Sequence, residues 1–217
     1  MPDLSHLESW FSHDRLTPYR TAVRDQRDAV ALYEWNAEVS AAFWRTLGHV
    51  EVLVRNALHR ELAAWSQQQY GTDRWYVAVD PLVSDRTRRD IREAIRRGTR
   101  TGRAETPGRV VAELNLGFWR FLLARRYDGT LWRYCMYRAF PGKRRADVER
   151  AVSELHLLRN RIGHHEPIHN RPLRDLLALS LDVAGWIDRD ARDWIAAGDT
   201  TSSLLAQRSQ PWWPRVR

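Results

Sequence analysis

Cysteine is almost missing from this chain: Cys135 is the only one among 217 residues. No intrachain disulfide can form, so the fold must stand on packing, and an intracellular setting is expected. Cys135 lies within L-W-R-Y-C-M-Y and reads as a small core residue rather than a nucleophile. Long apolar runs are lacking too, since no segment approaches the roughly 18 uninterrupted apolar residues of a membrane span. The first ten residues, M-P-D-L-S-H-L-E-S-W, carry acids and no apolar stretch, which is not the pattern of a signal peptide. A soluble, cytoplasmic protein with no membrane partner is expected. There is also no convincing strand, no internal repeat and no glycine-rich loop to cradle a phosphate. Lysine is scarce, and arginine supplies nearly all of the 35 basic side chains.

What is present is basic and helical. The formal charge of +8 rests on arginine, whose rigid fork grips phosphate, so a polyanionic partner such as RNA is expected. GC-rich coding alone would also favour arginine. From about Arg27 to Gln69 there is neither proline nor a loop-like cluster. Over that span Ala29, Leu32, Tyr33, Leu47, Val50, Val54, Ala57, Leu58 and Leu62 recur at helical spacing. Trp35-Asn36 interrupts the pattern, which predicts one bent helix or two helices broken there. Thr17-Pro18 reads as an N-cap with proline at the first helical position. Asp80-Pro81 or Ser84 is expected to cap the arginine-rich helix containing Arg86–Arg97, with Ile91 and Ile95 facing a core. Thr106-Pro107 opens a helix into L-N-L-G-F-W-R-F-L-L, and Asp128–Phe140 reads as a short helix. A further helix spans Arg144–Ile162, and Pro172 starts a last long one extending to about Ala197. These elements predict an all-α fold over residues 1–197. Residues 198–217, ending P-W-W-P-R-V-R, are expected to be extended or disordered until bound.

Leu155–Asn170, L-H-L-L-R-N-R-I-G-H-H-E-P-I-H-N, concentrates four of the eight histidines in sixteen residues. Three readings compete. His165-Glu166-Pro167-Ile168-His169 formally matches the H-E-x-x-H of zinc hydrolases, but Pro167 opposes the continuous helix that such a site requires. Arg159-Asn160 with His164, or with His165 directly after, suits metal-free cleavage of RNA. A histidine can take the ribose 2′-OH proton or protonate the leaving 5′-oxygen. A guanidinium can stabilise charge on the five-coordinate phosphorus, and Asn160 can orient the imidazole or hold a phosphate oxygen. The third reading is purely structural: cationic side chains at a helix C-terminus, with Gly163 as the stop. On an ideal helix Arg159 and His164 point about 140° apart, so they share a site only if the helix loosens near Gly163 or a two-fold partner pools both motifs. Glu51 and Arg55 have the spacing of a helical ion pair within an apolar segment. With Asn56 and Glu166 they are expected in supporting roles. Arg144, Arg145 and Arg161 are candidate RNA contacts, and the Arg86–Arg97 face is a possible second track.

The stretch L-R-N-R-I-G-H-H-E-P-I resembles the signature of the Abi-like (abortive-infection) proteins, a branch of the HEPN superfamily. R-L-T-P-Y, L-Y-E-W-N-A-E-V-S-A-A-F-W, H-V-E-V-L-V-R-N-A-L-H and L-N-L-G-F-W-R-F-L-L resemble that family in the same order, from about Leu16 to Trp194. The resemblance implies a HEPN-type helical bundle with additional helices, usually a homodimer, whose arginine and histidine line an RNA-cleaving cleft. It implies a metal-independent endoribonuclease without a cofactor, acting in phage defence or as a toxin restrained by an antitoxin protein or a regulatory RNA. Arg159 and His164 fall on the family's R-x(4)-H positions, with Asn160 in its polar slot and His165 as an R-x(5)-H alternative. A non-catalytic RNA-binding or partner-regulated module is the alternative expectation, with a zinc hydrolase behind it.

Overall fold

The computed structural model describes residues 4–208, and no strand occurs among them. Eleven α-helices are described, joined by short 3-10 and wide turns: α1 Leu4–Phe11, α2 His13–Arg20, α3 Gln26–Tyr70, α4 Trp75–Ala78, α5 Asp85–Gly98 and α6 Pro107–Ala112, then α7 Leu116–Leu122, α8 Arg145–Gly163, α9 Leu173–Ile187, α10 Arg189–Ala197 and α11 Thr201–Gln207. One core runs through the whole set, from Leu4 to Leu205.

The 45 residues of α3 form its axis. Asp25 caps its start by accepting a hydrogen bond from the Arg27 amide, and Gly71 ends it in the left-handed conformation (φ 70°) that lacks a Cβ penalty. At about 1.5 Å per residue it is roughly 68 Å long, and it packs against α1, α2, α4, α7, α8, α9 and α11. Of the two expected arrangements, a break into two helices at Trp35-Asn36 is excluded: α3 runs unbroken through both residues, whose side chains are buried with partners. Trp35 donates its indole N–H to the Leu204 carbonyl (3.0 Å). Asn36 Oδ1 accepts the backbone amides of Ile168 and His169 (2.8 and 3.0 Å). A polar residue in an apolar stripe here marks a tertiary contact.

Caps explain two of the other differences from expectation, at Asn115 and Asp188. The Thr17-Pro18 pair does not start a helix: α2 begins at His13, Pro18 sits inside its last turn, and the Thr17 hydroxyl bonds back to the His13 carbonyl (2.9 Å). Ser84 caps α5 through the Thr87 amide, as expected, and Ile91 is buried while Ile95 is partly so. The helix from Pro107 is two helices, because Asn115 accepts from the Phe118 amide (3.0 Å) and starts α7 afresh. The last long helix also divides. Asp188 adopts an extended backbone (φ −157°, ψ 126°) and caps α10 through the Ala191 amide (2.8 Å). Residues 128–140 are not a regular helix: a wide turn at Asp128–Trp132 and a 3-10 turn at Met136–Ala139 deliver Leu131, Trp132, Cys135, Met136 and Phe140 into the core. Burial pushes the Cys135 thiol up to about 12, consistent with a packing role.

The segment after Ala197 was expected to be extended, yet its first part is helical. Thr201 and Leu205 of α11 are buried, and α11 packs on α3 and α9. Arg208 lies over the Trp35 ring (4.7 Å) and donates to the His169 carbonyl (2.5 Å). The P-W-W-P-R-V-R terminus lies outside the described residues.

Candidate functional site

The site is built where α8 ends against the middle of α3. Val148, Val152, Leu155 and Ile162 line the buried stripe of α8, as their spacing predicts. That packing leaves Arg159 half-exposed beside α3. Its guanidinium lies over the Trp44 ring (5.0 Å), and its Nε is 3.5 Å from Glu51 Oε2. Trp44 and Glu51 are seven residues apart, about two helical turns, so both face Arg159. Glu51 also accepts the Leu116 amide through Oε1 (3.0 Å), which ties the start of α7 to the same carboxylate. Glu51 thus contacts Arg159 and is not paired with Arg55. Arg55 instead donates to the neighbouring Asn56 side chain (3.3 Å), and Asn56 is exposed.

Beyond Arg159 the helix stays regular through Gly163 and does not loosen. Gly163 is the last helical residue, and the left-handed residue that closes the helix lies two positions later, at His165. The Glu166 amide bonds to the Arg161 carbonyl (2.7 Å) and the His165 amide to the Ile162 carbonyl (2.9 Å), the paired bonds of a Schellman motif. The left-handed position in that motif usually holds glycine; here it holds His165, at φ 56°. His164 and His165 are both exposed, and no side-chain hydrogen bond engages either among the described residues. The two are not equivalent. His165 lines a cavity of about 480 Å³ together with Trp44, Gly163, Ile162 and residues of α2 and α3, whereas His164 does not. No hydrogen bond joins Arg159 to His164 within the described chain. Trp44 is the element common to the Arg159 contact and the His165 cavity.

Asn160 faces elsewhere. Its Nδ2 is 3.1 Å from His156 Nε2, so the imidazole it orients is that of His156. Both line a separate cavity of about 360 Å³ under α5 and α7, with Arg86, Asp90 and Arg97. Burial first, then the charges of Arg120 and Arg159, hold the His156 pKa below its ordinary value. If Asn160 donates to Nε2, the proton of the neutral ring is on Nδ1, which is buried with no partner among the described residues. His156 was not singled out in the sequence, although it lies four residues before Asn160.

Two candidate RNA contacts are committed to the fold. Arg145 is nearly buried and bonds Asp128, Glu149 and the Leu123 carbonyl. Arg161 clamps the loop after α8 by donating to the Pro167 carbonyl (2.8 Å) and pairing with Glu166 (3.1 Å). Glu166 therefore braces the loop. Arg144 stays exposed, paired with Asp147 (2.8 Å). On α5, Arg88, Arg96 and Arg97 are likewise paired with Asp85, Glu93 and Glu113.

The H-E-x-x-H stretch lies outside any helix. His165 is exposed, while His169 is buried against Tyr19, with ring centres 5.0 Å apart. Among the described residues no group of three His, Cys, Asp or Glu side chains is placed to hold a metal ion. No helix among them is long and apolar enough to cross a membrane. Comparison with protein-family models, curated proteins and solved structures finds no match to this chain.

Proposed function

We propose that this protein is a metal-independent endoribonuclease of HEPN type, acting in phage defence or as a toxin. The observation that carries the reading is the end of α8. A guanidinium held in place by Glu51 and Trp44 stands one and a half turns before two exposed histidines that are free of hydrogen-bond partners among the described residues. An imidazole takes the proton of a ribose 2′-OH, the 2′-oxygen forms a bond to phosphorus, and the P–O5′ bond breaks. The departing 5′-oxygen takes up a proton, leaving a 2′,3′-cyclic phosphate and a 5′-hydroxyl. Arg159 stabilises the charge on phosphorus. Because α8 is regular, a single copy separates Arg159 from His164 around the helix, and the reading uses a two-fold partner to pool both motifs in one cleft. DNA, lacking the 2′-OH, is not a substrate.

The test is cleavage of mixed single-stranded RNA and total tRNA in EDTA by wild type, Arg159→Ala, His164→Ala and His165→Ala. Loss of at least about 100-fold in Arg159→Ala and in one histidine variant is expected, with cyclic-phosphate ends from the wild type. Wild-type rates in both histidine variants would sink the proposal. The regular helix also favours a second reading, an RNA-binding or partner-regulated module that uses the same groups as ligands. That reading predicts binding without cleavage, weakened by salt.

A further inference from the structure

Two stretches that the nuclease chemistry leaves unused meet beside Trp44 and His165. Arg15 and Tyr19 of R-L-T-P-Y, Tyr33, Asn36 and Ser40 of α3, and Trp44 beside His165 all line the 480 Å³ cavity between α2, α3 and the end of α8. This volume is in the range of small-ligand sites, and the walls have the usual makeup of such sites: apolar and aromatic, with a few polar groups converging. Tyr19 and Tyr33 pack edge to face (5.2 Å between ring centres), and Trp44 lies on the same side as Arg159.

The polar groups are biased towards donors. Asn36 is 6% exposed, and its Oδ1 is fully engaged by the Ile168 and His169 amides. Those two bonds fix the amide orientation and leave Nδ2, a pure donor, with no partner among the described residues. Arg15 has no ion pair there, and the hydroxyls of Ser40 and Tyr33 make no hydrogen bond there. A planar ring offering carbonyl acceptors and a face for stacking complements this set.

We propose that the cavity holds one nucleobase of the RNA strand, with a preference for the keto bases guanine and uracil over adenine. The inference rests on the nuclease reading, and it gives that site its base selectivity. Adenine presents an amino donor where guanine and uracil present a carbonyl, and that donor would meet the donors of Asn36 and Arg15. Single-stranded RNA is commonly read in this manner, by splayed bases stacked on aromatic rings. His165, at the rim, would then lie next to the phosphate joined to the bound nucleotide.

The test uses the full chain and 2′-O-methylated tetranucleotides, which cannot be cleaved, so it does not depend on catalysis. Binding is followed by tryptophan fluorescence for oligonucleotides of uracil, guanine or adenine, and for free uridine and guanosine 5′-monophosphates. Uracil or guanine oligonucleotides should bind about tenfold more tightly than adenine ones. Ser40→Leu and, separately, Ala41→Phe fill the cavity from positions that are not core, and each should erase that preference without moving the melting temperature. Equal binding of all bases by the wild type would overturn the proposal, as would an unchanged preference in both filled variants. Free monophosphates that bind as tightly as the oligonucleotides would also overturn it, in favour of a free nucleotide as ligand. Failure of the nuclease reading shows separately, as uncut unmodified RNA in the Arg159 comparison.

Discussion

His165 holds a backbone conformation that side chains with a Cβ avoid, at a cost of about 1–2 kcal/mol. Strain of this kind persists where the surroundings impose it, and it often coincides with function. Here it turns an imidazole towards the cavity at the position where a glycine would usually end the helix. His165→Gly should therefore raise the unfolding free energy by about 1 kcal/mol, read as a higher urea midpoint at unchanged slope, while removing the imidazole. His164→Gly, at φ −93°, should bring no such gain. A destabilised His165→Gly would show that the side chain contributes more than the strain it creates.

Asn36 and His169 form the other consequential pair at this scale. Removing the Asn36 carbonyl leaves two buried amides without an acceptor, so Asn36→Leu should cost about 3 kcal/mol in chemical denaturation. His169 is buried against Tyr19, and burial followed by the charge of Arg208 pushes its pKa down to about 4. The fold thus holds the neutral ring, while the unfolded chain binds a proton as the pH falls through about 6.5. The resulting stability is fully present above pH 6.5 and declines towards pH 4, by an amount on the order of 3 kcal/mol. His169→Phe keeps a ring against Tyr19 and should flatten that part of the curve of stability against pH.

Among elements, the helices whose signals are periodic were legible and those set by a single cap were less so. The stripes of α3 and α8 follow from apolar spacing, and Ser84 announced α5. Asp188 and Asn115 divide helices that the periodicity joins, because one side chain accepting one amide changes the backbone direction without disturbing the apolar pattern around it. Asp188→Ala should cost about 1 kcal/mol, and circular dichroism should show no gain in helix if the break is also enforced by packing. The residues 128–140 were misread for a different reason: burial of five large or apolar side chains overrides local helix preference. At the site, Arg159, Glu51 and the exposed histidines could be found from residue type and spacing. Trp44, Asn36 and the Arg15 side of the cavity could not, since each acts across a distance in sequence that no local pattern records. The commitment of Arg145 to Asp128 and the Leu123 carbonyl was hidden for the same reason, whereas that of Arg161 was hidden because the loop after α8 has no periodic pattern to place Glu166 and Pro167 beside it.

For the whole molecule, the proposed pooled cleft makes a prediction that a monomeric site does not. Arg159→Ala and whichever of His164→Ala and His165→Ala is inactive should regain activity when unfolded together and refolded as a mixture, because mixed dimers hold one intact arginine and one intact catalytic histidine. About half of the dimers are mixed for equal, randomly paired copies, so recovery should be partial. No recovery in a mixture shown to contain mixed dimers would place both groups in one copy. The basic surface should also make RNA binding fall steeply with salt, while Arg144→Ala should reduce that slope only slightly.

The long axial helix adds a constraint of phase. Asn36 and Glu51 are fifteen residues apart on α3, about 22 Å along the axis and some 60° around it. One grips the loop after α8 and the other grips Arg159 before it, so α3 acts as a ruler whose two marks must face the same neighbour. A single inserted residue between them would turn the far mark by about 100°, leaving the loop anchored and Arg159 without its carboxylate. Point substitutions on the outer face of that interval should be tolerated freely, and changes in its length should not.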